Sequence, residues 1–255
     1  MVDAPRGSGL RPGGGLRPAW YVASPGGWRD WLSVLHLPYT SWHLAYVLIG
    51  AGLAPELSLT RLLATLAAFG LAVGIAAHAL DELRGRPLAT SIPGPVLAAV
   101  SAAALGGAVA LGVAGIARVG WGLAGFIVVG VVLVVGYNLE LFNGRLHNDA
   151  VFALAWGSFP LLTAYYAQAV TLRPAALAGA VFAYGLSAAQ RTMSSESREL
   201  RRRVVSVAGE KVYSDGSRSA MSLQALLKPI EKALVLLSWT TCALGVALVL
   251  SRTGH

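Results

Sequence analysis

Seven apolar runs divide this chain, most of them close to the roughly 20 residues that an α-helix needs to cross a bilayer. The first is SWHLAYVLIGAGLA, from Ser41. An interfacial WRDWLSVLHLPYT precedes it, with Trp28 and Trp31 suited to a headgroup belt. The others cover about 58–80, 92–116, 119–137, 149–170, 173–189 and 233–250. Irregular backbone cannot face lipid, and the alternating ten-residue segments of a membrane barrel are absent, so a helical bundle is the expected spanning form. The expected fold class is an all-α integral membrane protein, with one transmembrane helical domain over 29–255. Residues 1–28 are rich in Gly, Pro and Arg and lack the apolar core of a signal peptide; they read as a flexible cytoplasmic tail.

Charge then orients the bundle. Only 13% of the residues are charged, against about 25% in a soluble domain. The net charge of +8 does not indicate nucleic acid, because the basic residues sit between apolar runs. With the N-terminus in the cytoplasm, every Lys and Arg except Arg61, Arg118, Arg173 and Arg252 lies on the inner side, and Glu56 is the lone outer acid. That asymmetry predicts an inner-membrane protein with its polar loops cytoplasmic. The single Cys242 lies in an apolar run and reads as a small buried hydrophobe.

Polar residues gather at three places, each after an even-numbered run. In HALDELRGRP, His78, Asp81 and Glu82 are spaced i, i+3, i+4 and share one helical face. Carboxylates at a polar cavity suit Mg²⁺, and Arg84 and Arg86 suit phosphate oxygens. The competing reading is a solvated loop in which Asp81 and Glu82 pair with those arginines. In YNLELFNGRLHND, Tyr137, Asn138 and Glu140 end the fourth run, and Asn143-Gly144 marks a turn. Arg145 and His147 follow, and Asn148 or Asp149 can cap the next helix. Glu140, between two leucines, needs a partner if buried. In SAAQRTMSSESRELRRR, Gln190 and Arg191 are cavity candidates, while the arginines at 201–203 read as a positive-inside anchor.

Other features read more plainly. VVSVAGEKVYSDGS, within a cytoplasmic loop at about 190–228, has the pattern of a small hairpin that docks on the bundle as a cover. His36 and His43 read as interfacial or packing residues. Trp156, Phe159, Tyr165 and Tyr166 suit either core packing or a pocket for a lipid chain or carbocation.

Over about residues 30–250 the chain resembles the UbiA superfamily of intramembrane prenyltransferases. The likeness is carried by the cluster after the second run leading into RGRPLATSIP, and by YNLELFNGR followed by FALAWGSFPLL. Members are helical bundles in which aspartate-rich motifs after the second and sixth helices hold a prenyl diphosphate through Mg²⁺. Aligned on Asp81, this chain has Ala77 and His78 where the family has Asn-Asp, and Gly85 at the last Asp. The second motif falls on Ser187–Arg191, which contains no acid. The resemblance implies a UbiA-like bundle of seven to nine helices that transfers a prenyl group to a lipophilic or aromatic acceptor, or cyclises a terpenoid. Asp81 and Glu82 would be the Mg²⁺ ligands, with His78 and Glu140 also in catalysis. Arg84, Arg86, Tyr137, Asn138, Asn143, Arg145, His147, Gln190 and Arg191 would bind the prenyl diphosphate or another anionic lipid headgroup. Two alternatives stand beside it. One is a non-catalytic lipid- or partner-binding subunit on the same fold. The other is a seven-helix lipid hydrolase with Zn²⁺ on His78, Asp81 and His147.

Overall fold

The computed structural model describes residues 17–23 and 26–253. A short α1 (Trp28–Val34) leads into α2 (Leu37–Leu53). Next comes α3, a continuous rod from Leu59 to Gly85 whose middle, Gly70–Ala77, is π-helical. α4 (Gly94–Val119) and α5 (Gly122–Asn138) follow, then α6, Asp149–Ala169, with a second π-helical stretch at Leu154–Ser158. α7 (Pro174–Arg202) leads to an antiparallel hairpin, β1 (Glu210–Val212) and β2 (Arg218–Ala220), and α8 (Leu223–Thr253) completes the described chain. Each apolar run of the sequence is therefore helical. Four helices, α3, α4, α6 and α8, are long and apolar enough to cross a membrane, and α5 is apolar but shorter.

Local chemistry sets the helix ends. Ser58 Oγ accepts the Arg61 N–H (3.4 Å) at the start of α3, and Asn148 Oδ1 accepts the Val151 N–H (3.0 Å) at the start of α6, as N-caps do. Gly120, at φ 102°, ends α4 and lets the chain turn at once into α5.

α2 forms the centre, packed against α6 and α8. Glycine makes this contact possible: a Cβ on Gly50 would collide with the backbone of Leu161 on α6. Close approach through small residues is the usual packing mode where lipid gives no hydrophobic drive between helices. Trp42, Tyr46, Leu161 and Leu234 fill the interior, and the buried Trp42 Nε1 donates to Tyr46 Oη at 2.8 Å. Val113, Val128, Leu177, Phe182 and Trp239 point outward, as a lipid-facing surface requires.

Two expectations at the polar end need correction. Residues 17–23 are not a loose tail but pack on the bundle, with Ala19 and Val22 each 5% exposed in a cluster with Leu88, Ile92 and Leu97. Residues 1–16, also assigned to the tail, lie outside the described residues. The hairpin does form, in the register Lys211↔Ser219. However, both strands are exposed throughout, and neither lines the polar cavity described below. The cover over that cavity comes from the other end of the chain.

Candidate functional site: a basic cavity beside an apolar groove

The ends of α2, α3, α5, α6 and α7 enclose a polar cavity of about 280 Å³. Seven residues singled out in the sequence line it: His78 and Asp81 on α3, Tyr137 and Asn138 on α5, His147 before α6, and Gln190 and Arg191 on α7. Six others do not. Glu82 is one residue, hence about 100° of helix, away from Asp81, and it turns into the protein with no exposed surface. Its carboxylate accepts the N–H groups of Leu88 (3.0 Å) and Thr90 (2.9 Å) and the Thr90 hydroxyl (2.8 Å). It therefore anchors the loop after α3 and is not a cavity ligand. Arg84 and Glu140 pair with each other at 2.9 Å, both nearly half exposed. Arg86 donates to the Ile92 carbonyl (2.6 Å), and the expected pairing of Asp81 and Glu82 with these arginines is absent among the described residues. Asn143 (φ 58°) sits in the turn before α6, and Arg145 is exposed beside it.

Other cavity residues carried no clear signal in sequence. Arg198 and Arg202 follow Arg191 at i+7 and i+11, so α7 presents three guanidinium groups along one face. Arg191 reaches Asp149 Oδ1 (2.9 Å) and lies over the Phe152 ring. Arg198 touches Ser195 Oγ (3.1 Å) and makes no ion pair among the described residues. Burial, then the Arg191 charge, hold its guanidinium below the ordinary value. Arg202 Nε donates to the Pro18 carbonyl (3.1 Å) and Arg201 Nη1 to that of Arg17 (3.3 Å), which binds residues 17–23 across the cavity mouth. Tyr21, on that strap, joins the lining and shares a hydrogen bond with His36 Nδ1 (3.0 Å). His36 has a left-handed backbone (φ 45°), a strained state that persists only where its surroundings enforce it. Burial, then His78, which stacks on it with ring centroids 4.3 Å apart, keep its imidazole well below the usual pKa and neutral.

The remaining imidazoles are oriented alike. His43 Nδ1 donates to the Trp156 carbonyl (2.8 Å), His78 Nδ1 to that of Gly74 (3.3 Å) and His147 Nδ1 to that of Tyr137 (3.1 Å). A carbonyl only accepts, so each of these Nδ1 atoms carries a proton. Gly74 and Trp156 belong to the two π-helical stretches, whose altered ladders leave carbonyls free for such partners. Two buried cavity atoms, Tyr137 Oη and Gln190 Oε1, have no hydrogen-bond partner among the described residues.

Against the arginines, Asp81 is the single carboxylate of the lining. No set of three His, Cys, Asp or Glu among the described residues is placed to hold a metal ion. His78, Asp81 and His147 share the cavity without forming the Zn²⁺ group of the hydrolase reading, and the expected Asp81–Glu82 pair for Mg²⁺ is split.

An apolar groove of about 560 Å³ abuts the cavity, running between α3, α4, α5 and α6 as far as Arg61 and Arg118 at the opposite end. Phe69, Phe126 and Phe159 line it, and Val73 and Trp156 border both spaces. Trp156, 5% exposed, belongs to the core and borders the groove together with Phe159, while Tyr165 is core, 1% exposed. No family model, no curated protein and no solved structure matches the chain.

Proposed function

We propose that the chain is a UbiA-like prenyltransferase of the inner membrane, crossing it with seven helices and opening its polar cavity toward the cytoplasm. The observation that carries this reading is the junction at Val73 and Trp156, where a basic cavity of about 280 Å³ meets a long apolar groove. A lipid with an anionic headgroup matches both halves. Its chain lies in the groove, and its diphosphate lies against Arg191, Arg198 and Arg202. The resemblance at RGRPLATSIP and at YNLELFNGR supports a prenyl diphosphate in particular.

In the proposed reaction the bond between the allylic carbon and the diphosphate oxygen breaks, and its electron pair leaves with the diphosphate. The arginines stabilise the charge that develops there. The face of Trp156 at the junction stabilises the allylic cation. An acceptor oxygen, nitrogen or carbon closes the new bond, and its proton passes to Nε2 of His43 or His78. No step is routed through Mg²⁺, because the protein supplies one cavity carboxylate and not the pair the family motif implies.

Withdrawal of Glu82 and the acid-free second motif also favour a second reading, a lipid-binding subunit without turnover. Purified protein in nanodiscs, given labelled farnesyl or geranylgeranyl diphosphate and a lipid extract from its own host, separates the two. Release of diphosphate with a labelled lipid product is expected. Tight binding with no release at any chain length would favour the subunit.

A further inference from the structure

We propose that the cavity holds its lipid phosphate or diphosphate through arginine alone, with no divalent cation. This rests on the headgroup reading above and departs from the metal-bridged site that the family resemblance implies. Arg191, Arg198 and Arg202 lie on one face of α7, against Asp81 in the lining and Asp149, which pairs with Arg191, so the site keeps a net positive charge before any metal arrives. The second carboxylate that a bridging cation would use is absent from the cavity. Glu82 spends both oxygens on Leu88 and Thr90, and no three-ligand group is present among the described residues.

On the cationic side Arg191 is paired with Asp149 and Arg202 holds the Pro18 carbonyl, but Arg198 is left without an ion-pair partner among the described residues. Its one hydrogen bond there goes to a serine hydroxyl, although a half-buried guanidinium is costly without an anion. Tyr137 Oη is 4% exposed by residue, lines the cavity and has no partner among the described residues. An O–H donor and a planar guanidinium fork are the groups that phosphate oxygens accept from. A phosphate monoester carries close to two negative charges near neutral pH, and the unpaired Arg198 and the neighbouring Arg202 are the cations that meet them.

The two arrangements predict opposite signs for one substitution. If Asp81 holds a bridging cation, Asp81→Asn abolishes binding. In an arginine site Asp81 only repels the anion, so Asp81→Asn tightens binding by roughly tenfold. That is the scale of one unit charge acting across about 10 Å at an effective dielectric constant near 20.

The experiment is calorimetric titration of farnesyl diphosphate into the detergent-purified full chain, once with Mg²⁺ and once with EDTA. The affinity is expected to be unchanged by the chelator and tightened by Asp81→Asn. Arg198→Gln should weaken it by about tenfold or more, the loss of one charge-assisted hydrogen bond. Arg218→Gln, on the exposed hairpin, removes the same charge and should change nothing. Binding that needs Mg²⁺ and is lost in Asp81→Asn would overturn the arginine site while leaving the headgroup reading intact. Failure of the parent chain to bind in either buffer would overturn both. The chelator arm needs no variant, so misfolding cannot mask the answer.

Discussion

Replacing Glu82 separates a structural carboxylate from a ligand more cleanly than any other change. Its side chain has no exposed surface and accepts three hydrogen bonds from the loop after α3. Glu82→Ala removes all three acceptor contacts and leaves the Leu88 and Thr90 N–H groups inside the protein. At about 1–3 kcal/mol for each buried donor left unsatisfied, with partial relief by water, the expected loss is about 3–5 kcal/mol. Glu82→Gln is milder, because its carbonyl can still serve Thr90 while its NH₂ faces the Leu88 donor. The expected loss is about 1–3 kcal/mol. Reversible unfolding of the purified protein in mixed micelles measures both, and titration with farnesyl diphosphate at a temperature where Glu82→Gln stays folded measures the site. The account expects lower stability in the order Ala, Gln, parent, with affinity of the folded Gln variant within a factor of about three of the parent. Full stability with lost binding would refute the assignment of Glu82 to the loop and restore it to the cavity.

Three further outcomes follow from the same geometry. Ala108 lines the groove on α4, so Ala108→Phe should weaken farnesyl diphosphate binding by roughly 5- to 100-fold, the scale of overpacking, while titration shows inorganic diphosphate unaffected. Asp30, 2% exposed, accepts from Gly26 N–H (2.9 Å) and Ser91 N–H (2.9 Å), and these bonds hold its carboxyl below the ordinary value. Its contribution is therefore complete above the usual carboxylate range and is lost as pH falls through the lowered pKa. Asp30→Asn should cost about 1–3 kcal/mol at pH 7, and this deficit against the parent should shrink in acid melts. For orientation, Ser214→Cys in a Cys242→Ala background should react only with reagents that enter the cytoplasm, and Glu56→Cys with external ones; the reverse labelling pattern would invert the bundle.

Much of the architecture was legible because hydropathy reports directly on helices that face lipid. The runs at 92–116 and 119–137 became α4 and α5 almost residue for residue. The run at 173–189 was cut short, because α7 continues to Arg202 with polar residues that face a polar cavity and not water. Asp81 stood out as an acid at the end of an apolar helix. The shared face expected for His78, Asp81 and Glu82 did not hold, because neighbours on a helix diverge by about 100° and the loop at Leu88–Thr90 drew Glu82 inward. Tyr21 was hidden because its place depends on Arg201 and Arg202, which lie 184 residues from their partners Arg17 and Pro18. His36 and His43 were hidden for a related reason. What orients His43 is a carbonyl of the π-helical turn at Trp156, and what holds His36 is that same strap. Neither leaves a local pattern. Arg198 and Arg202, unlike Arg191, were visible as charge but not as part of a site, because a membrane anchor and an anion clamp use the same residue types.

The central claim is that one lipid occupies cavity and groove together, and photoaffinity labelling tests it most directly. A farnesyl diphosphate analogue with a diazirine on its last isoprene unit, irradiated with the protein in nanodiscs, should mark α4 and α5 around Gly112 and Ile127, which line the far half of the groove. Excess unlabelled farnesyl diphosphate and inorganic diphosphate should both abolish the label, and Arg198→Gln should reduce it by about tenfold or more at probe concentrations below saturation. Label on the outward faces around Leu177 or Trp239, or label that neither competitor removes, would contradict the account.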